Sequence, residues 1–218
     1  MNLPVLEFPT YPDRPFFFAN FVQTVDGKVT VVATPKEYWP IGSRDDYRLL
    51  TRLRAQADVL VHGSTTARWM RTLDRLAGAE FQEERRALGK TRDILYVAMS
   101  DHPDGELQAL LADPPAGTEG WLVPGDVRAL SGRLFAEGYR HVLVEGGPRL
   151  FTSFLQAGLM DEIFLTIAPK LFAGGGSSTL TLAEGELFAP EQVPSLELLS
   201  CEAHENEVYL RYATKHSQ

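Results

Sequence analysis

Short apolar segments alternate with helix-opening signals along most of this chain, and that alternation restricts it to an α/β sheet. The segments are Phe16–Val22 (FFFANFV), Val59–His62 (VLVH), Ile94–Met99 (ILYVAM), His141–Val144 (HVLV) and Ile163–Ala168 (IFLTIA). Their β-branched and aromatic content suits buried strands. The stretches between them carry caps. Ser43, with Asp46 three residues on, has the form of a capping box and predicts a helix to about Gln56, with Tyr47, Leu50, Leu53 and Ala57 near one face. Residues 67–90 read as helical with a break near Gly78, Asp126 caps a helix to about Glu137, and Pro148 suits the first position of a helix ending near Gly158. Trp121–Val123 is a shorter strand, and Lys28–Val32 is a second strand after a turn at Asp26–Gly27. Leu196–Ala203 and Val208–Tyr212 flank a polar turn and predict an antiparallel edge. The expected fold is one domain over 1–218, a mixed and mostly parallel sheet flanked by helices, with 1–14 as an extended arm.

Composition narrows the partners. The chain has 218 residues, 44% hydrophobic and 23% charged, with a formal net charge of −8, so a basic stripe for nucleic acid is not expected. No apolar run approaches a membrane span, and the N-terminus lacks the pattern of a signal peptide. The single cysteine, Cys201, fits a reducing, cytoplasmic setting. The histidines show no paired spacing, and no metal site is expected.

Two strand-to-helix junctions carry the functional signal: Val61–His62–Gly63–Ser64–Thr65–Thr66 and Val144–Glu145–Gly146–Gly147–Pro148. Each puts glycine at the carboxyl end of a strand and opens a helix at once, which offers free N–H groups to phosphate and lets backbone approach a ligand. Composition alone leaves the pair open between a dinucleotide grip and tight packing at turns. The G-x-G-x-x-G fingerprint is absent, as are the G-x-S-x-G elbow and the zinc-deaminase signature. Asp26 and Glu145 are the carboxylates to watch, because an α/β sheet keeps its ligands at the carboxyl ends of its strands. Arg68, Arg71 and Arg75 share a helix face, which reads either as a solvated face or as cations available to an anionic substrate.

Ordered pieces of the chain resemble a known family. They are Pro15–Phe16–Phe17–Phe18–Ala19–Asn20, Thr24–Val25–Asp26–Gly27–Lys28, Leu53–Arg54–Ala55–Gln56–Ala57–Asp58, Gly63 through Thr66, Val144–Glu145–Gly146–Gly147–Pro148, and Gly158–Leu159–Met160–Asp161–Glu162 through Phe172. Together they resemble the pyrimidine reductases of riboflavin biosynthesis, the RibD C-terminal domain, with its dihydrofolate-reductase-like fold. The resemblance implies an NADPH-dependent oxidoreductase, usually a homodimer, that reduces the ribosyl group of an aminopyrimidine phosphate to ribityl. It implies Gly63, Ser64, Thr65, Thr66, Gly146, Gly147, Pro148 and Arg149 as cofactor contacts, with Ser100 at the 2′-phosphate end. Asn20, Asp26, Glu145 and Arg68 would line the substrate side, with Asp26 and Glu145 as the catalytic carboxylates. Where the family follows its G-x-x-T with an Asp-Asp-Pro loop, this chain continues in helical sequence from Ala67. A reductase of the same fold acting on a pterin or another heterocycle, and a non-catalytic nucleotide-binding domain, are the alternative readings.

Overall fold

A computed structural model of the chain describes residues 6–31, 41–70, 72–175 and 178–215. The elements run β1 (Phe16–Thr24), β2 (Thr30–Val31), α1 (Arg44–Gln56), β3 (Val59–Gly63), α2 (Ser64–Met70), α3 (Thr72–Leu76), α4 (Ala79–Ala87), β4 (Ile94–Met99) and α5 (Gly105–Ala112). They continue with β5 (Thr118–Val123), α6 (Val127–Ala136), β6 (His141–Val144), α7 (Pro148–Gln156), β7 (Met160–Ala168), β8 (Thr179–Leu180), β9 (Ser195–His204) and β10 (Glu207–Lys215).

Among the described residues, eight strands form one sheet in the order β5-β4-β3-β6-β1-β7-β10-β9. The strands from β5 to β7 are parallel, and β10 and β9 add antiparallel to β7. The expected mixed sheet with an antiparallel C-terminal edge is therefore present. Side chains of β1 alternate between two cores, as the period of a strand requires. Phe17, Ala19 and Phe21 pack on the α6–α7 side with Leu134, Phe151 and Phe154. Phe16 and Phe18 pack on the other side with Leu53, Phe81 and Leu107. Burying each such ring contributes about 1.5–3 kcal/mol. The extended arm joins this second core, with Phe8 stacked 5.3 Å from Phe16 and 4.4 Å from Phe18. Arg14 forks onto Asp161 at 2.8 and 2.6 Å.

Two expectations are corrected. Of Lys28–Val32, Val32 lies outside the described residues, and among the rest only Thr30–Val31 is strand; it pairs with β8, so Asp26–Gly27 is a turn leaving β1 rather than a hairpin within the main sheet. The buried stripe of α1 is Asp46, Leu49, Leu53 and Arg54, while Tyr47 faces solvent. Two of those four are charged, which a search for apolar periodicity passes over. An additional helix, α5, follows β4, capped by the Asp104 side chain on the Leu107 N–H.

Candidate active site

The parallel strands end together at one rim of the sheet, and most of the predicted residues lie along it. The two glycine junctions sit side by side because β3 pairs with β6. Gly63 N–H donates to the Gly146 carbonyl at 2.8 Å, and Glu145 N–H donates to the Val61 carbonyl at 3.1 Å. The Gly146–Gly147 peptide bond is cis. Gly146 has φ +90, and a Cβ there would lie 3.1 Å from the Phe21 ring, so both conformation and space call for glycine. Gly147 has φ −66 and needs no positive φ; a Cβ on it would point toward the Thr66 hydroxyl at 3.5 Å, with no other neighbour within 4 Å among the described residues. Gly147 is also the N-cap of α7 and supplies no capping side chain, and Pro148 takes the first helical position. The first-turn N–H groups of α7 thus face an open cradle bounded by Thr66, a donor set and a shape that suit phosphate. Arg149 stands exposed at the same helix end.

Beneath this cradle lies a buried charge network. Arg54 Nε and Nη2 donate to the two carboxylate oxygens of Glu145 at 2.7 and 2.6 Å. His62 Nε2 lies 3.1 Å from Glu145 Oε2, and His62 Nδ1 lies 2.9 Å from the Tyr96 hydroxyl. Burial pushes the Tyr96 phenol up, with the Glu145 charge adding, so it remains a donor. The carboxylate then takes the Nε2 proton and the phenol serves Nδ1, which assigns His62 its tautomer. Burial would also raise the Glu145 carboxyl, but the Arg54 charge and fork, with His62, outweigh it and hold it at about 2. Glu145 is therefore an ionised anchor directly under Gly146, and the geometry does not equip it to give up a proton.

Asp26 stands apart from that network. Its carboxylate accepts from Thr24 Oγ1 at 2.5 Å and from the Phe172 and Ala173 N–H groups at 3.2 and 2.8 Å. The Thr24 bond foremost lowers its pKa, and together with the two backbone bonds it outweighs the opposing effect of desolvation. Asp26 is thus an ionised clasp between the turn after β1 and the loop after β7. Asn20 lies between the two halves of the rim, level with Glu145, one residue beyond the Ala19–Val144 pair. Ser100 ends β4, beyond β3 on the far side. Arg68 donates to Asp104 at 2.8 Å and so lies over the loop after β4, on the Ser100 side and not beside Asn20. Arg75 is on α3, and Arg71 falls outside the described residues.

Comparisons with known proteins bear on the fold and on the family the chain is similar to. The family described as the RibD C-terminal domain matches residues 125–210, which include the Glu-Gly-Gly junction, α7 and β7. Over those residues the chain is similar to that family. A 2,5-diamino-6-ribosylamino-4(3H)-pyrimidinone 5′-phosphate reductase of Archaeoglobus fulgidus is 28% identical, over 80% of this chain and 89% of the relative. The reductase of the same name from Methanothermobacter thermautotrophicus is 27% identical over 79% and 86%. Among solved structures, a pyrimidine reductase-like protein of Corynebacterium diphtheriae superposes with TM-score 0.66 at 20% identity, covering 93% of both chains. Dihydrofolate reductase of Enterococcus faecalis, solved with NADP(H), superposes with TM-score 0.53 at 14% identity over 92% and 97%, a likeness of fold. Along this rim, the sequence assigned no role to Arg54, His62 or Tyr96. One signal was available: a histidine ending an otherwise apolar strand.

Proposed function

We propose that the chain is an NADPH-dependent reductase that converts the ribosyl group of a ribosylaminopyrimidine 5′-phosphate to a ribityl chain. The observation that carries this is the pairing of the two glycine junctions across β3 and β6, in a family whose similar members are named for that reaction. The bound nicotinamide would supply hydride. Gly63, Gly146 and Gly147 allow backbone to approach the dinucleotide. Ser64, Thr65 and Thr66 offer hydroxyls, and the α7 amides with Pro148 and Arg149 seat the pyrophosphate. Ser100 and Arg68 take the 2′-phosphate end. Asn20 faces the substrate, Asp26 shapes its entrance, and Glu145 holds the Gly146–Gly147 turn in place.

Thermal unfolding tests the cofactor half. NADPH at 100 times its dissociation constant adds about 2.7 kcal/mol, which for a chain of this length is a rise of roughly 5–10 °C in Tm. NADH should raise it less. No rise with saturating NADPH ends the reading, and a larger rise with NADH removes Ser100 and Arg68 from the phosphate.

We further propose that the chain works as a homodimer joined along β9. Ile163–Ala168 is apolar on both faces because β7 lies inside the sheet, between β1 and β10. Among the described residues, the exposed apolar side chains include Leu196, Leu198 and Leu199 on the edge strand β9. No helix among the described residues is long and apolar enough to cross a membrane.

A further inference from the structure

The N-terminus of α1 departs from the capping box its sequence spells. In that motif the acid at the third helical position reaches back to the N-H of the cap residue. Here Glu207, from the start of β10, takes that place: Ser43 N–H donates to its Oε1 at 2.9 Å and Ser43 Oγ to its Oε2 at 2.5 Å. The Tyr209 hydroxyl also donates to Oε2, at 2.5 Å. Asp46 is thereby left without its local role. It is only 7% exposed, and among the described residues its Oδ1 has no hydrogen-bond partner. On the same face of the sheet, two further buried polar atoms lack partners among the described residues. They are Thr166 Oγ1 on β7, fully buried, and Asn20 Oδ1 on β1, 8% exposed. Thr166 lies close enough to Asp46 to favour its ionised form, yet makes no full hydrogen bond. Asn20 stands two residues before Val22, the partner of Thr166 across β1 and β7. Buried polar atoms are nearly always satisfied, so three neglected ones on adjoining elements point to a polar group that arrives from outside. They lie on the β1–β7–β10 side of the rim, with Asn20 bordering the cofactor half at Glu145.

We propose that Asp46 is the acid of the reaction, donating its proton to the ring oxygen of the substrate's ribosyl group while Asn20 and Thr166 hold that group beside it. This rests on the ribosylaminopyrimidine reading above. The C1′–O4′ bond breaks, the lone pair of the exocyclic nitrogen forms a C1′=N bond, and O4′ takes the proton of Asp46. Hydride from a reduced nicotinamide dinucleotide then forms the C1′–H bond, and the C=N pair returns to nitrogen. The dinucleotide ends oxidised, the sugar ends as an open chain two electrons reduced, and water reprotonates Asp46.

The surroundings suit an acid that works near neutrality. Burial, opposed in part by Thr166 and assisted by the Glu207 charge, lifts the Asp46 carboxyl to about 6. The groups facing it are Glu207 and Tyr209 from β10 and Thr166 from β7. Lys170 follows β7 and donates to the Ile41 carbonyl at 2.7 Å. On the outer side of α1, Asp45 pairs with Arg48 and His204.

The test is Asp46→Asn, which keeps shape and removes the proton. NADPH affinity, read by fluorescence titration, should stay within about two-fold, while turnover falls by about 10²–10⁴. The alkaline limb of the wild-type kcat/KM profile, set by loss of the Asp46 proton, should vanish. Thr166→Val removes a group that favours the ionised form, so it should move that limb to higher pH. A stability readout stands apart from activity. An acid raised by folding loses stability as pH rises from its unfolded value through about 6, so Asp46→Asn should melt above wild type at pH 8. Wild type that reduces the substrate beside an Asp46→Asn variant with unchanged turnover and pH profile overturns the proposal alone, and leaves the three atoms to buried water. Wild type that binds NADPH but does not reduce a ribosylaminopyrimidine phosphate overturns the reading beneath it, and the proposal with it.

Discussion

Replacing Gly147 by valine is expected to abolish NADPH binding while leaving the fold intact. Gly147 has φ −66 and ψ −178, an extended conformation that valine adopts without strain. Its Cβ would meet only the Thr66 hydroxyl, at 3.5 Å, so the protein itself tolerates the branch. The two methyl groups would instead occupy the space between the α7 amides and Thr66, where a pyrophosphate must lie. A loss of about 100-fold in affinity, or about 2.8 kcal/mol, is expected by calorimetric titration, with the unliganded Tm within a few degrees of wild type. Gly146→Ala should behave oppositely. With φ +90 and the Phe21 ring 3.1 Å from the new Cβ, it loses stability first and cofactor affinity only in consequence. Wild-type affinity in Gly147→Val would return both junctions to the role of tight turns.

The contrast between these neighbouring glycines marks how far the sequence could be read. That both belonged to a strand-to-helix junction was legible from the apolar run before them and the proline after them. Which one carries the positive φ was not, because it depends on how β6 meets β3 and on where Phe21 points. The same division holds for α1. Its boundaries follow from local signals, Ser43 at the start and Asp58 and Val59 opening the next strand. Its buried face does not, since Asp46 and Arg54 are buried by partners far along the chain, near Glu207 and against Glu145. Local periodicity treats charged residues as outward-facing and so selected Tyr47 and Leu50. Asp26 and Glu145 were both visible as carboxylates at strand ends. Their environments, an exposed clasp of backbone N–H groups for one and a buried arginine fork for the other, arise only when strands distant in sequence align. Strand β2 was overextended for a related reason: its partner, β8, is a two-residue strand whose own sequence announces little.

Breaking the buried pair should have the largest effect on stability. Arg54 and Glu145 side chains are 3% and 5% exposed, so removing the guanidinium strands a carboxylate in a site that water scarcely reaches. His62 alone remains beside it. Loss of one partner of a buried pair costs about 3–5 kcal/mol, which for a chain of this size lowers Tm by roughly 6–20 °C. Arg54→Met fills most of the vacated volume, which limits the contribution of a cavity. Adding Glu145→Gln removes the stranded charge, so the double variant should recover most of the loss. That recovery separates an electrostatic cause from simple packing. The pair also sets an acid limit. Folding lowers the Glu145 carboxyl from 4.5 to about 2, so its contribution is fully present above pH 4.5 and is lost as pH falls through 2. Across that window wild type should lose up to about 3 kcal/mol from this group, whereas the double variant should show a shallower acid limb. Equilibrium unfolding in urea between pH 2 and pH 7 reads both effects. A single Arg54→Met variant within 1 kcal/mol of wild type at pH 7, or a double variant no better than the single, would mean that the network does not hold the Gly146–Gly147 turn through charge. Such a result would move the support of the cofactor cradle to the packing of Phe21 and Phe151 on the other face of the sheet.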